Sequence, residues 1–138
     1  MYNFRKSKKG FTLIELMVVV AIIGVLALLG LRLYTGQQEK AKNAIVKANA
    51  GTIQTLLQAE LADATYSTVE TMVTNGSVFA KSGIHIPDGG LQIANGTAGG
   101  TNGEVVVTPS ASDEVFDING NRFPDAANVY TDSLTARK

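Results

Sequence analysis

The stretch that decides the fold lies near the N-terminus and reads KKGFTLIELMVVVAIIGVLALLGL over residues 8–31. From Phe11 to Leu31 the chain is an apolar run in which every residue except Thr12 and Glu15 is apolar or glycine. As a helix this run would be about 30 Å long, which matches the hydrocarbon thickness of a bilayer. The sequence therefore predicts a membrane-spanning helix over residues 11–33.

Basic residues mark both ends of the apolar run. Four of the twelve basic residues precede it and one follows it directly; these are Arg5, Lys6, Lys8, Lys9 and Arg32. Positive charge at the N-terminal end favours retention of that end in the cytoplasm. We therefore expect a precursor in the cytoplasmic membrane with its N-terminus inside and its C-terminal bulk outside.

The helix is expected to continue as an amphipathic segment over residues 34–65. Apolar residues recur there at steps of three, four or occasionally five, as on one face of an α-helix. This predicted stripe consists of Ala41, Ala44, Ile45, Ala48, Ile53, Leu56, Leu57, Leu61 and Ala64. We predict that the stripe packs on the globular part of the chain.

Residues 66–138 are predicted to form a small β-rich head, because Gly, Ser, Thr and Asn become frequent there. Short β-prone runs occur at residues 91–94, 104–108 and 115–118. Asn119-Gly120 fits a type I′ hairpin turn after the last run. The predicted fold class is α+β, with a long N-terminal helix whose C-terminal half covers a small antiparallel sheet.

The N-terminal motif resembles the processing signal of type IV pilins and of the pseudopilins of type II secretion systems. The resemblance rests on the basic leader, Gly10, Phe11, Thr12 and Glu15, followed by uninterrupted apolar residues. It implies that a membrane prepilin peptidase removes residues 1–10 and methylates the amine of Phe11. An ordinary secretory signal is instead cut after its apolar core, so here the apolar helix should be retained.

Glu15 is unusual in an apolar helix, because placing an unpaired carboxylate inside a membrane costs several kcal/mol. The resemblance implies that Glu15 pairs with the N-terminal amine of Phe11 in a neighbouring subunit of a filament. Thr12 is expected to donate a hydrogen bond at the same site. The alternative is that Glu15 reaches back to the cytoplasmic interface of the membrane.

Gly24, Gly30 and Gly36 interrupt the apolar helix, and each lowers helix stability by about 1 kcal/mol relative to Ala. They would permit either local melting or close helix packing. Pilins commonly carry a proline where this chain has Arg32, and we therefore do not expect a melted segment of the usual extent.

Calcium is a weak possibility at the C-terminal end of the chain. Asp117, Asn119, Asn121 and Asp125 follow the beginning of a calcium-loop spacing, but Arg122 replaces the glycine expected next. The plain hairpin is the favoured interpretation. With no cysteine in the chain, we expect packing of Phe123 and Tyr130 to hold this region.

Two triplets, Asn75-Gly76-Ser77 and Asn95-Gly96-Thr97, fit the N-glycosylation acceptor sequence. Such triplets arise readily by chance in a chain rich in Gly, Asn and Thr. The sequence alone assigns a glycan to neither.

The sequence predicts a structural subunit, a major pilin that polymerises with itself, and not an enzyme. Its expected partners are the prepilin peptidase, the pilus assembly platform and further copies of the chain. After loss of the leader, eight basic against twelve acidic side chains argue against nucleic-acid binding. The alternatives are a pseudopilin of a type II secretion system and a signal-anchored surface protein.

Overall fold

The computed structural model describes residues 10–138, so the predicted leader lies outside the described residues except for Gly10. Three helices precede three strands: α1 (Leu13–Asp63), α2 (Tyr66–Thr74), α3 (Ser77–Ser82), β1 (Val105–Ser110), β2 (Val115–Gly120) and β3 (Leu134–Arg137). This order confirms the α+β class. The chain divides into two compact units, with the boundary after Gln37.

The N-terminal unit consists of the first part of α1. Every described side chain up to Gln37 is exposed. The helix runs without a break through Gly24, Gly30 and Gly36. By length and composition alone, this part of α1 is able to cross a membrane.

The C-terminal unit contains the rest of α1, which buries Val46, Ala50, Ile53, Leu57 and Leu61. The predicted stripe was correct from Ile53 onwards but wrong before it, because Ala41, Ala44, Ile45 and Ala48 are exposed. Ala48 and Val46 lie two positions apart, which is about 200° around a helix. This segment has two opposite apolar faces, and the one that carries Val46 enters the core because it is in line with the buried Ile53 and Leu57.

The head predicted to be β-rich begins with two helices, α2 and α3, which the sequence did not predict. Tyr66, Val69 and Val73 are buried in α2, at steps of three and four. This helical spacing was concealed by the surrounding Ser and Thr. Gly76 and Gly83 flank α3 in the left-handed region, with φ of 79° and 67°.

The sheet is antiparallel with strand order β1-β2-β3. The predicted strands at 104–108 and 115–118 are confirmed as β1 and β2. The run at 91–94 forms only one isolated bridge, between Leu91 and His85, and β3 was missed. The core between sheet and helices contains Phe79, Phe116, Ile53, Leu57 and Ile118.

The predicted hairpin turn at Asn119-Gly120 was wrong, because both residues belong to β2 and the chain reverses before Val115. Gly120 pairs with Val105. A Cβ on Gly120 would overlap Cγ1 of Val46 in α1. Gly120 therefore serves a close approach between strand and helix, which sequence does not distinguish from a turn.

Side-chain amides fasten the loops of the head. Asn43 Nδ2 donates to the carbonyl of Phe123 (3.1 Å), and the N–H of Phe123 donates to Asn43 Oδ1 (2.8 Å). Phe123 and Val129 pack with Val46, and Tyr130 packs against them, which confirms the predicted packing at Phe123 and Tyr130. This region is thus held without a disulfide.

Candidate processing and assembly site

The predicted cleavage point lies just outside the helix. Gly10, Phe11 and Thr12 are exposed and precede α1, which begins at Leu13. The side chain of Phe11 is 85% exposed. The Gly10–Phe11 bond is therefore exposed and lies outside the helix.

Thr12 and Glu15 form a reciprocal contact at the start of α1. The N–H and the hydroxyl of Thr12 each donate to Glu15 Oε2 at 2.9 Å, and the N–H of Glu15 donates to Thr12 Oγ1 at 3.4 Å. This is a capping box, which satisfies N–H groups that a helix start leaves free. The Thr-x-x-Glu spacing is its sequence signature, and the sequence interpretation missed it.

The capping contacts occupy only one oxygen of the Glu15 carboxylate. Among the described residues, no hydrogen-bond donor contacts Oε1. Phe11, Ile14, Val18 and Val19 line a shallow, apolar groove together with Glu15, which is exposed. The site therefore presents one free carboxylate oxygen on an otherwise apolar helix.

The four residues considered for calcium lie on β2 and in the loop after it. Asn119 Oδ1 accepts from the N–H groups of Gly120 and Tyr130. The carboxylate of Asp117 accepts a hydrogen bond from Ser133.

Asn121 and Asp125 also have protein partners. Asn121 is fully buried and donates to the carbonyls of Thr97 and Thr101. Asp125 pairs with Arg122 at 2.7 Å, and this hydrogen-bonded guanidinium holds the pKa of the Asp125 carboxyl below its usual value. Over residues 10–138, no group of three or more His, Asp or Glu side chains is placed to hold a metal ion.

The structure defines a class of chain: an α+β protein whose long N-terminal helix exposes an apolar surface and covers a small sheet with its C-terminal part. A family described as the prokaryotic N-terminal methylation motif matches residues 5–31.

Similar proteins agree with this class. The chain is 44% identical over 64 residues to the fimbrial protein EcpB of Eikenella corrodens. This matched region covers 46% of this chain and 40% of that protein. It is 41% identical over 59 residues to the type IV major fimbrial protein FimA of Dichelobacter nodosus. This second matched region covers 43% of this chain and 38% of that protein. The type IV major pilin protein PilA of Myxococcus xanthus is 42% identical over 53 residues, which covers 38% of this chain and 24% of PilA.

The matched part of the chain thus spans at most about two fifths of the length of these relatives. No solved structure matches the chain. The methylation motif, the relatives and the fold together support a type IV pilin. These relatives are fimbrial and pilin proteins, which agrees with the structural role that the sequence predicted.

Proposed function

We propose that this chain is the major subunit of a type IV pilus. Its precursor would lie in the cytoplasmic membrane with the N-terminus inside and the head outside. A prepilin peptidase would cut after Gly10 and methylate Phe11, and an assembly platform in the membrane would add the subunit to an extracellular homopolymer for adhesion or motility.

The observation that carries this proposal is the apolar surface of α1 directly after the processing motif. The large apolar side chains from Phe11 to Tyr34 are between 46% and 85% exposed. A soluble monomer rarely leaves so extended an apolar surface in water. Lipid covers this surface in the precursor, and helices of other copies would cover it in a filament.

Glu15 supplies the register in this proposal. Because Thr12 occupies Oε2, Oε1 remains available for the amine of Phe11 in a neighbouring copy. Charge-assisted hydrogen bonds contribute about 1.5–3 kcal/mol each, and an unpaired charge among apolar helices is disfavoured. A subunit that docks out of register would leave both charges unpaired.

The test is Glu15→Gln, which keeps the side-chain size and removes the charge. We expect normal cleavage after Gly10 but a fall of about tenfold or more in filaments recovered by shearing, the size of effect that about 1.4 kcal/mol produces. The matched control is Glu39→Gln, which removes an exposed carboxylate from the same helix. Equal filament yield from both variants would refute the assigned role of Glu15.

A further inference from the structure

The two N-glycosylation triplets lie in different structural settings. Both are described by the structure, and both contain the acceptor Asn, a Gly and a hydroxyl residue. An acceptor must present the amide nitrogen of Asn to an enzyme outside the fold. The availability of that nitrogen distinguishes the two sites.

Asn95 holds its amide inside the head. Its Nδ2 donates to the carbonyl of Val107 at 2.8 Å, and its Oδ1 accepts from the N–H of Val107 at 2.8 Å. A sugar on Nδ2 would have to displace the contact of that nitrogen with the carbonyl of Val107. Asn95 is therefore closed to glycosylation in the folded head.

Asn75 lies in the turn between α2 and α3 and is exposed. Its Oδ1 accepts from the N–H of Ser77 at 3.0 Å, which orients the side chain. Among the described residues, no protein acceptor contacts its Nδ2. The flanking Thr74 and Ser77 are also exposed, so the acceptor nitrogen is accessible. The hydroxyl of Ser77 donates to the carbonyl of Met72 at 3.2 Å, a contact that the enzyme would have to replace.

Gly76, between Asn75 and Ser77, has the backbone conformation that this turn requires. Gly76 has φ of 79°, and a side chain there would collide with the carbonyl of Ile93. The backbone of the triplet is thereby fixed against the loop at Ile93 while the Asn75 side chain stays outside. Attachment of a sugar at Nδ2 would disturb no packing contact of the head.

We propose that Asn75 is the acceptor of an N-linked glycan and that Asn95 is not. This inference rests on the proposed function, because it requires export of the head. The co-reactant is a lipid-linked oligosaccharide diphosphate. Nδ2 forms a bond to the anomeric carbon of the first sugar, the bond from that carbon to phosphate oxygen breaks, the lipid diphosphate leaves, and Nδ2 loses one proton.

The experiment is peptide mass spectrometry of the native protein from its source. Trypsin cuts after Lys47, Lys81 and Arg122, so Asn75 falls in peptide 48–81 and Asn95 in peptide 82–122. We expect a carbohydrate mass on peptide 48–81 alone. Enzymatic release of the glycan in heavy-oxygen water should label Asn75, and a parallel sample in the same water without the enzyme measures the label that spontaneous deamidation of the Asn-Gly pair introduces.

Variants of the hydroxyl residues provide the controls without changing either Asn. Ser77→Ala should abolish the added mass, Ser77→Thr should retain it, and Thr97→Ala should leave it unchanged. Unmodified peptide 48–81, or carbohydrate on peptide 82–122, would overturn the proposal. The same digest contains the N-terminal peptide that ends at Arg32, so a methylated Phe11 beside an unmodified Asn75 would refute the glycan and leave the pilin assignment intact.

Discussion

Gly120 lies where β2 passes closest to α1, and an added Cβ would overlap Val46. We expect Gly120→Ala to lower the free energy of unfolding of the head by about 1–3 kcal/mol, as other overpacked substitutions do. Denaturant unfolding of the detergent-solubilised protein measures this change. Adding Val46→Ala should restore part of the loss, because it removes the overlapping methyl groups.

Gly51 provides the matched control for Gly120. It lies within α1, and a Cβ there would meet no atom within 4 Å. Gly51→Ala should raise the free energy of unfolding by about 0.5–1 kcal/mol, because Ala is the better helix former. Equal effects of the two substitutions would show that the close approach of β2 to α1 is not formed.

Asp125 should titrate below the usual range of an aspartate. The hydrogen bonds from Arg122 and from the N–H of Ala127 lower the pKa of its carboxyl. A lowered folded-state pKa stabilises the fold above the unfolded-state pKa, and this contribution is lost as the pH falls through the folded-state value.

NMR titration of the Asp125 carboxyl in the wild-type protein and in Arg122→Gln measures this effect. The pKa should move up toward its ordinary value in the variant, because the Arg122 hydrogen bond is its largest cause. An unchanged pKa would mean that the ion pair does not form in solution.

At the scale of elements, α1 offers two isoleucines on different faces. Ile53 is fully buried, whereas Ile45 is 46% exposed. We expect Ile53→Ala to lower the free energy of unfolding by about 2–5 kcal/mol and Ile45→Ala by less than about 1 kcal/mol. Similar losses in the solubilised monomer would indicate that the helix packs on the head through the face first predicted from the sequence.

Two side-chain amides occupy the edge of β1 that does not pair with β2. Gln92 forms paired hydrogen bonds with the N–H and carbonyl of Val105, and Asn95 does the same with Val107. The next residue that faces this edge is Pro109, which has no N–H to offer. These amides and the proline complete an edge that would otherwise bind strands of other chains.

Sequence was a reliable guide where many residues repeated one pattern. The continuous apolar run and the β-prone runs at 104–108 and 115–118 were recognised from consecutive residues of one type, and the corresponding elements were predicted. α2 was missed because its three buried residues lie among Ser and Thr. The roles of Gln92 and Asn95 depend on contacts with a strand that follows in the chain, which local pattern does not contain.

The local sequence pattern also predicted part of the candidate site. Gly10, Phe11, Thr12 and Glu15 were selected from the motif, and the structure brings Thr12 and Glu15 into contact. The proposed partner of Glu15 lies on another copy of the chain. A single sequence contains no information on that copy or its register. The predicted pairing of Glu15 with Phe11 therefore depended on the resemblance to type IV pilins.

At the scale of the whole molecule, the two units of the chain differ in the surface that they expose. Its N-terminal unit is an exposed apolar helix, and its C-terminal unit has a buried core of its own. This division suits a precursor that is first anchored in lipid and later polymerised through the same helix.

The central claim is that the chain is processed before its apolar helix and then exported into a filament. Intact mass and N-terminal fragmentation of native protein sheared from the cell surface test it most directly. We expect a chain that begins at Phe11 and carries one added methyl group, recovered from long surface fibres. Protein that begins at Met1 and is absent from the sheared fraction would contradict the account and favour a signal-anchored protein.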